Sequence, residues 1–131
     1  MKVVYSDPKT GKSAMMQLDK GSESAFINHK INDVVDGAAL GLSGYKLKIT
    51  GGSDTSGFPM DSSISGTVKT RVLRNVSKSG RLKGQHRRST VRGAMVSSDT
   101  ELVNTVIVEY GDKPVAELFP ETEKKAKEDK K

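Results

Sequence analysis

Residues 62–98 read SSISGTVKTRVLRNVSKSGRLKGQHRRSTVRGAMVSS, and the rest of the chain is organised around this stretch. It contains no Asp or Glu. It holds nine basic residues: Lys69, Arg71, Arg74, Lys78, Arg81, Lys83, Arg87, Arg88 and Arg92. The whole chain has a formal net charge of only +6, so its basic character is confined to this segment. Such a block of one sign predicts a polyanionic partner.

The middle of this segment differs from its flanks. Residues 77–90 have Leu82 as their only large apolar residue, so they cannot bury themselves and must be solvated or held by a partner. Residues 67–76 and 91–96 interleave Val, Leu and Met with polar residues, as strands do. We therefore expect two strands that present a basic, conformationally open loop at residues 77–90, mobile in the free protein.

The high proportion of Arg among the basic residues indicates that the segment binds nucleic acid rather than serving only to keep the protein soluble. Arg outnumbers Lys six to three, and the planar guanidinium grips phosphate with two hydrogen bonds. The loop has no aromatic residue, so phosphate and groove contacts to a folded RNA match it better than base stacking on a single strand. The predicted RNA-binding residues are the nine basic residues together with His86.

Composition bounds the remaining possibilities. A chain of 131 residues that is 34% hydrophobic is long enough for one domain with a modest core. The absence of Cys removes disulfides and thiolate metal sites, and no apolar run reaches membrane-spanning length. We expect an intracellular, soluble protein with no membrane partner. A domain at residues 1–118 is predicted to be followed by a charged, flexible tail at residues 119–131.

Turn chemistry and periodicity predict a mainly β fold. Residues 1–5 and 13–18 flank an Asp-Pro-Lys-Thr-Gly turn, which indicates a hairpin. Strict alternation predicts a strand at residues 45–50, and a β-branched run predicts another at 103–110. These strands favour a small antiparallel, barrel-like domain.

Two short helical turns are expected between the strands. Ser22 or Ser24 can cap a helix through residues 25–27, and Asp36 can cap a single turn that Gly41 ends.

The glycine-rich stretch GGSDTSGFPM at residues 51–60 predicts an irregular but defined loop. We expect Gly51, Gly52 and Gly57 to hold backbone conformations closed to other residues. Its Phe58-Pro59-Met60 end is apolar and should fold back on the core. The loop does not resemble a nucleotide-binding loop, because no Gly-Lys-Ser/Thr and no helix follow Gly51-Gly52.

Catalytic and metal sites find little support in the sequence. His29 and His86 are far apart, without the spacing of a metal site. No serine lies in a nucleophile-elbow motif, and Asp33 and Asp36 are better explained as surface and capping residues than as an acid–base pair. No cofactor, metal or small-molecule substrate is expected.

Residues 49–60, ITGGSDTSGFPM, resemble the I-x-G-G-x-D-x-x-G-F-P-M motif of protein six of the small ribosomal subunit, in its eukaryotic and archaeal type. The resemblance rests on Gly51, Gly52, Asp54, Gly57, Phe58, Pro59 and Met60 together with Ile49. RSTVRG at 88–93 and NTVIV at 104–108 resemble later elements of that family in the right order, so the likeness covers about residues 1–118. Asn28 and Asn32 stand where archaeal relatives often have Gly, and Asn is the non-glycine residue that best tolerates positive φ, so the backbone geometry of the family can be kept there.

The resemblance implies a non-enzymatic structural constituent of the small subunit, of the short archaeal type. Its partners would be ribosomal RNA and neighbouring ribosomal proteins, and its location the cytoplasmic ribosome. The alternative is a small dimeric β-barrel nucleic-acid-binding regulator, which an exposed unpaired strand or a two-fold apolar patch would favour. A third possibility, an enzyme built around residues 51–60, has only Asp54 as a titratable group in that loop.

Overall fold

The computed structural model describes residues 1–119. This part of the chain consists mainly of strands, with two short helices and one 3-10 turn. The strands within it are β1 (Lys2–Asp7), β2 (Lys12–Gln17), β3 (Val34–Asp36), β4 (Lys46–Asp54), β5 (Lys69–Asn75), β6 (His86–Arg92) and β7 (Thr100–Glu109). The helices are α1 (Lys20–Glu23) and α2 (Val115–Leu118), and a 3-10 turn spans Gly37–Leu40. The mainly β prediction is confirmed.

The main sheet has the strand order β2-β1-β7-β4-β3, and β5 and β6 form a separate two-stranded sheet. β1 and β7 pair in parallel, whereas β1–β2, β3–β4 and β4–β7 are antiparallel. The main sheet is therefore mixed. Among residues 1–119 it is also open, with β2 and β3 as its edges, so the expected barrel-like closure is not found.

The core lies on one face of the main sheet. Val3 of β1, Leu47 and Ile49 of β4, and Val103 of β7 are fully buried and alternate with exposed or half-buried residues, as expected of a sheet covered on one side. Phe26 is also fully buried in this cluster, so the connection between β2 and β3 helps to cover the sheet. No helix within residues 1–119 is long and apolar enough to cross a membrane.

The C-terminal end of the described chain is part of the core. Phe119 is buried and its ring lies 5.5 Å from that of Tyr5, while the Tyr5 hydroxyl donates to the Leu118 carbonyl oxygen at 2.7 Å. Phe119 therefore belongs with the folded domain, although the sequence placed it at the start of the tail. The rest of the predicted tail, residues 120–131, lies outside the described residues.

Several local predictions are confirmed. The β1–β2 hairpin forms with the expected turn, and Asp36 caps the 3-10 turn by accepting from the Ala38 N–H at 3.4 Å. Gly41 ends that turn with φ +74°. Asn28 and Asn32 have φ values of +70° and +79°, a conformation that Asn tolerates better than other non-glycine residues.

Other boundaries differ from prediction. The first helix is α1, with Asp19 at its N-terminus, and residues 25–27 form turns, so neither Ser22 nor Ser24 caps a helix there. β4 continues through Gly51 to Asp54, because a register shift between Ile49 and Gly51 lets the strand stay paired with β7. The irregular loop therefore begins after Asp54 rather than at Gly51.

Candidate nucleic-acid interface

β5 and β6 form an antiparallel hairpin, here called the basic hairpin, that carries most of the predicted RNA-binding residues. Its register pairs Lys69 with Arg92, Leu73 with Arg88, and Asn75 with His86. β6 begins at His86, so the loop expected at residues 77–90 is shorter, and residues 86–90 form a strand. Their composition gave no strand signal; pairing with β5 supplies the backbone partners instead.

The two faces of the basic hairpin are unequal. Residues directly opposite one another in an antiparallel pair share a face, and neighbours along a strand alternate. The first face, here called the leucine face, carries Lys69, Arg71, Leu73, Asn75, His86, Arg88, Thr90 and Arg92. The opposite face carries Thr70, Val72, Arg74, Arg87, Ser89 and Val91. Val91 is fully buried, so the base of the opposite face is turned towards the protein.

Three of the predicted RNA-binding residues are held by carboxylates of the domain itself. Arg92 lies between two of them, with Nε 3.2 Å from Asp54 Oδ2 and Nη2 3.3 Å from Asp99 Oδ2. Lys69 Nζ lies 3.5 Å from Asp54 Oδ2, and Arg74 pairs with the Asp61 carboxylate. These contacts fix the base and one side of the basic hairpin.

The remaining six predicted cations are exposed and have no carboxylate within 4.0 Å among residues 1–119. Arg71 and Arg88 lie on the leucine face, and Arg87 lies on the opposite face. The others follow in the connection between the strands. The full set, here called the free cations, is Arg71, Lys78, Arg81, Lys83, Arg87 and Arg88.

The connection between β5 and β6 is a compact series of turns. The Val76 N–H donates to the Gln85 carbonyl at 2.9 Å and extends the ladder beyond β5. The Lys83 N–H donates to the Gly80 carbonyl at 3.1 Å. Gly80 and Gly84 have φ values of +80° and +84°, which residues other than glycine rarely adopt. The free cations of this connection therefore project from a reversal of the chain.

The glycine-rich motif joins the basic hairpin to the main sheet. After β4 ends at Asp54, the chain reverses, and the Met60 N–H donates back to the Gly52 carbonyl at 3.0 Å. The Arg92 N–H then donates to the Pro59 carbonyl at 2.8 Å, so the returning segment lies between β4 and β6. Phe58 is half-buried under Lys69, whose Nζ lies 4.8 Å from the ring centroid.

Only two of the three motif glycines are required by geometry. Gly57 has φ +84°, and a Cβ on Gly52 would lie 2.3 Å from the Leu102 carbonyl oxygen. Gly51 and Gly52 have no positive φ, so the expected special conformation is found only at Gly57; Gly52 is required by its close approach to Leu102, and a Cβ added to Gly51 would meet no atom within 4 Å. The Phe58-Pro59-Met60 end does fold back, and Met60 packs against the core.

Asp54 is the electrostatic centre of this junction. Its side chain is almost fully buried, and burial alone would raise its pKa. The Phe58 N–H at 2.9 Å, the Arg92 guanidinium and the Lys69 ammonium outweigh burial and hold the pKa below its usual value of 3.8. Asp54 is therefore ionised at neutral pH and neutralises part of the positive charge at the hairpin base.

The acidic residues next to the acid-free stretch mark this junction in the sequence, although the charge pattern within residues 62–98 does not show it. Asp61 and Asp99 are the two acidic residues that bound the acid-free stretch, and both pair with arginines inside it. Residues 1–119 contain no cluster of three His, Cys, Asp or Glu side chains placed to hold a metal. His29 and His86 are not brought together; the His29 ring instead lies 3.8 Å from Asp33.

Comparison with known proteins identifies what this chain resembles. The family model described as ribosomal protein S6e matches residues 1–120. A protein of Nanoarchaeum equitans named small ribosomal subunit protein eS6 is 43% identical over 121 residues, covering 92% of this chain and 90% of the relative. A Methanothermobacter thermautotrophicus protein of that name is 44% identical over 90% of this chain and 94% of its own length. A Methanococcus maripaludis relative is 47% identical over 87% of this chain and 91% of its own length.

Proposed function

This chain belongs to the ribosomal protein S6e family, and on that basis we propose that it is a structural constituent of the small ribosomal subunit whose basic hairpin binds ribosomal RNA. The family is a non-enzymatic component of the ribosome. The proposal also makes neighbouring ribosomal proteins its partners and the cytoplasmic ribosome its location. The archaeal relatives share the short length of this chain.

The observation that carries RNA binding is the set of free cations. Six exposed Arg and Lys side chains with no carboxylate partner among residues 1–119 lie on one hairpin and its turn. A folded polyanion can neutralise them together, and the released counterions provide the affinity. Phosphate contacts then fix position, and little base-specific readout is required.

The remaining basic residues have a different role in this proposal. Lys69 is already paired with Asp54, and Arg74 with Asp61. Arg92 is paired with both Asp54 and Asp99, so these three cations support the hairpin before RNA arrives. We assign the affinity chiefly to the free cations. His86, exposed at the start of β6, completes the predicted set.

Salt dependence tests the proposal. If most free cations meet phosphates, the log of affinity for small-subunit RNA falls with log salt at a slope of roughly −4, at about −0.7 to −0.9 per contact. Replacing both Arg87 and Arg88 by Gln should reduce the slope by up to about 2 and weaken binding, while thermal stability stays nearly unchanged because both side chains are exposed.

The matched control replaces two lysines of the mixed-charge C-terminal sequence, Lys124 and Lys125, by Gln. The acidic residues Glu121, Glu123, Glu128 and Asp129 surround them in sequence and offset their field. The control should lose much less affinity than the hairpin variant. Equal losses, or unfolding of the hairpin variant, would contradict the assignment of RNA contact to the basic hairpin.

One observation favours the alternative of a dimeric nucleic-acid regulator. β2 is an edge of the main sheet, and Met15 on it is 63% exposed, so a second copy could pair there. Light scattering of the purified protein decides between the two: a stable dimer that Met15→Lys dissociates would support the regulator. A monomer that co-sediments with particles of small-subunit size, and leaves them only at high salt, supports the ribosomal constituent.

A further inference from the structure

The basic hairpin exposes apolar side chains as well as charge. Among residues 1–119, eight large hydrophobic side chains are exposed, and four of them lie on this hairpin or beside it: Val68, Leu73, Val76 and Leu82. Leu73 is 65% exposed. A single exposed apolar residue is ordinary on a protein surface, but this one lies in the middle of a β-ladder between arginines.

The register defines what surrounds Leu73. Arg88 is directly opposite, which places the two Cβ atoms about 5 Å apart. Arg71 and Asn75 are two residues away along β5 on the same face, about 7 Å from Leu73 at the usual strand rise. The leucine face is therefore an apolar centre with a guanidinium on two sides.

The opposite face lacks this arrangement. Its two arginines, Arg74 and Arg87, are paired across the strands, and Arg74 is bound to Asp61. Its apolar member Val91 is fully buried and Val72 is half-buried. The opposite face also has some apolar surface, since Val76 is 41% exposed and lines a pocket with Arg87. Arg87 is the one free cation of that face within β5 and β6, however, whereas the leucine face places two, Arg71 and Arg88, beside its apolar centre.

This combination matches one form of RNA better than another. In a regular RNA duplex the base faces are stacked, and only phosphates and groove edges are accessible. At a bulge or internal loop an unstacked base exposes an apolar face beside closely spaced phosphates, and guanidinium planes can stack on it. Resting on the proposed RNA binding, we propose that the leucine face holds an unstacked nucleotide, with Leu73 against the base and Arg71 and Arg88 on the flanking phosphates.

The test compares two RNA probes, a perfect duplex and the same duplex with one bulge. The wild-type protein should bind the bulged probe more tightly. Leu73→Ser should remove that preference, with a loss of about tenfold on the bulged probe, or about 1.4 kcal/mol. The salt slope should stay unchanged because no charge is lost.

The matched control is Val68→Ser. Val68 is 62% exposed, which is close to Leu73, but it precedes β5 and lies outside the ladder between the arginines. It should keep the preference for the bulged probe. An equal loss in the two variants, or a wild-type protein that binds both probes alike, would overturn the inference.

Single variants of two neighbouring arginines test this inference independently of the proposed function. Arg88→Gln on the leucine face should reduce the preference for the bulged probe, whereas Arg87→Gln on the opposite face should weaken binding to both probes by the same factor. If Arg87→Gln reduces the preference as much, the assignment of the face is wrong while RNA binding stands. If the double Arg87 and Arg88 variant binds as the wild type does, the proposed function itself fails.

Discussion

Arg92 Nε lies 3.2 Å from Asp54 Oδ2, and this ion pair joins the last residue of β6 to the last residue of β4. Arg92 also donates to the Thr67 carbonyl at 2.9 Å, next to the start of β5. One guanidinium, carried by β6, therefore contacts the residues that lead into β5 and the end of β4 in the main sheet. The orientation of the hairpin depends on this junction.

Replacing Asp54 by Asn should destabilise the protein. The change removes the charge that faces Arg92 and Lys69 inside the junction, and hydrogen bonds to charged groups contribute about 1.5–3 kcal/mol each. We expect urea denaturation to show a free energy of unfolding lowered by about 1–3 kcal/mol. Asp99→Asn is the control, because its side chain is 65% exposed and should change stability by less than about 1 kcal/mol.

The same variant should have an altered acid dependence. The pKa of Asp54 is lower in the folded protein than its ordinary value of 3.8, so its contribution is fully present above that value. The contribution is lost as the pH falls through the folded pKa. Below pH 3.8 the stability of the wild type should therefore approach that of Asp54→Asn. A constant difference between the two proteins down to the acid unfolding transition would contradict this account.

Replacing Gly52 by Val should destabilise the protein by steric conflict. A Cβ at this position would lie 2.3 Å from the Leu102 carbonyl oxygen and 3.1 Å from Met60 Sδ, and the backbone on both sides is held in the β4–β7 pairing. Overpacking of this kind costs about 1–3 kcal/mol, which should appear as a lower melting temperature. Gly51→Ala, one residue away with open space around its Cβ, should melt close to the wild type. Equal melting temperatures for both variants would show that the close approach to β7 is not rigid.

The hydroxyl of Tyr110 should lose its proton at a higher pH than an ordinary tyrosine does. Its hydroxyl donates to Asp7 Oδ1 at 2.6 Å, and this hydrogen bond to a carboxylate raises the pKa of Tyr110 to about 12 from 10.0. Ultraviolet absorbance of tyrosinate should show this transition in the wild type, and Asp7→Asn should lower it. Because the folded pKa is raised, the stabilisation is complete below pH 10 and is lost between about pH 10 and 12. A Tyr110 transition that Asp7→Asn leaves in place would show that the hydrogen bond does not form in solution.

Hydrogen exchange of the free protein should divide the basic hairpin into a mobile turn and an ordered base. The amides of Arg92, Gly93 and Ala94 donate to the carbonyls of Pro59, Val68 and Ile64, so they should be protected. The exposed turn at residues 77–85 has little apolar surface to offset an ordering entropy of roughly 1–2 kcal/mol per residue, and it should exchange rapidly. Protection in the turn comparable to that of Ala94 without RNA would contradict this division.

Features that depend on a few neighbouring residues can be predicted from the amino-acid order alone. Alternation marked the strand that begins near Lys46, the β-branched run marked β7, and Asp36 with Gly41 marked the single turn that precedes β4. The acid-free block located the basic hairpin, since charge is read directly from composition. The motif at residues 49–60 pointed to the family, and its Gly52, Asp54, Gly57 and Met60 all lie at the junction between the basic hairpin and the main sheet.

Contacts between distant segments follow from the assembled fold and not from any local pattern. β1 and β7 come from the two ends of the domain and pair in parallel, and no local pattern in either segment encodes that pairing. The resulting strand order leaves β2 and β3 as the open edges of the sheet. Residues 86–90 form a strand because β5 supplies their hydrogen-bond partners, although their own side chains favour solvent. The same register places Arg88 and Arg87 on opposite faces of the hairpin and places Leu73 between free cations. The face on which a side chain lies, and the carboxylate with which it pairs, depend on the assembled ladder and not on the residue alone.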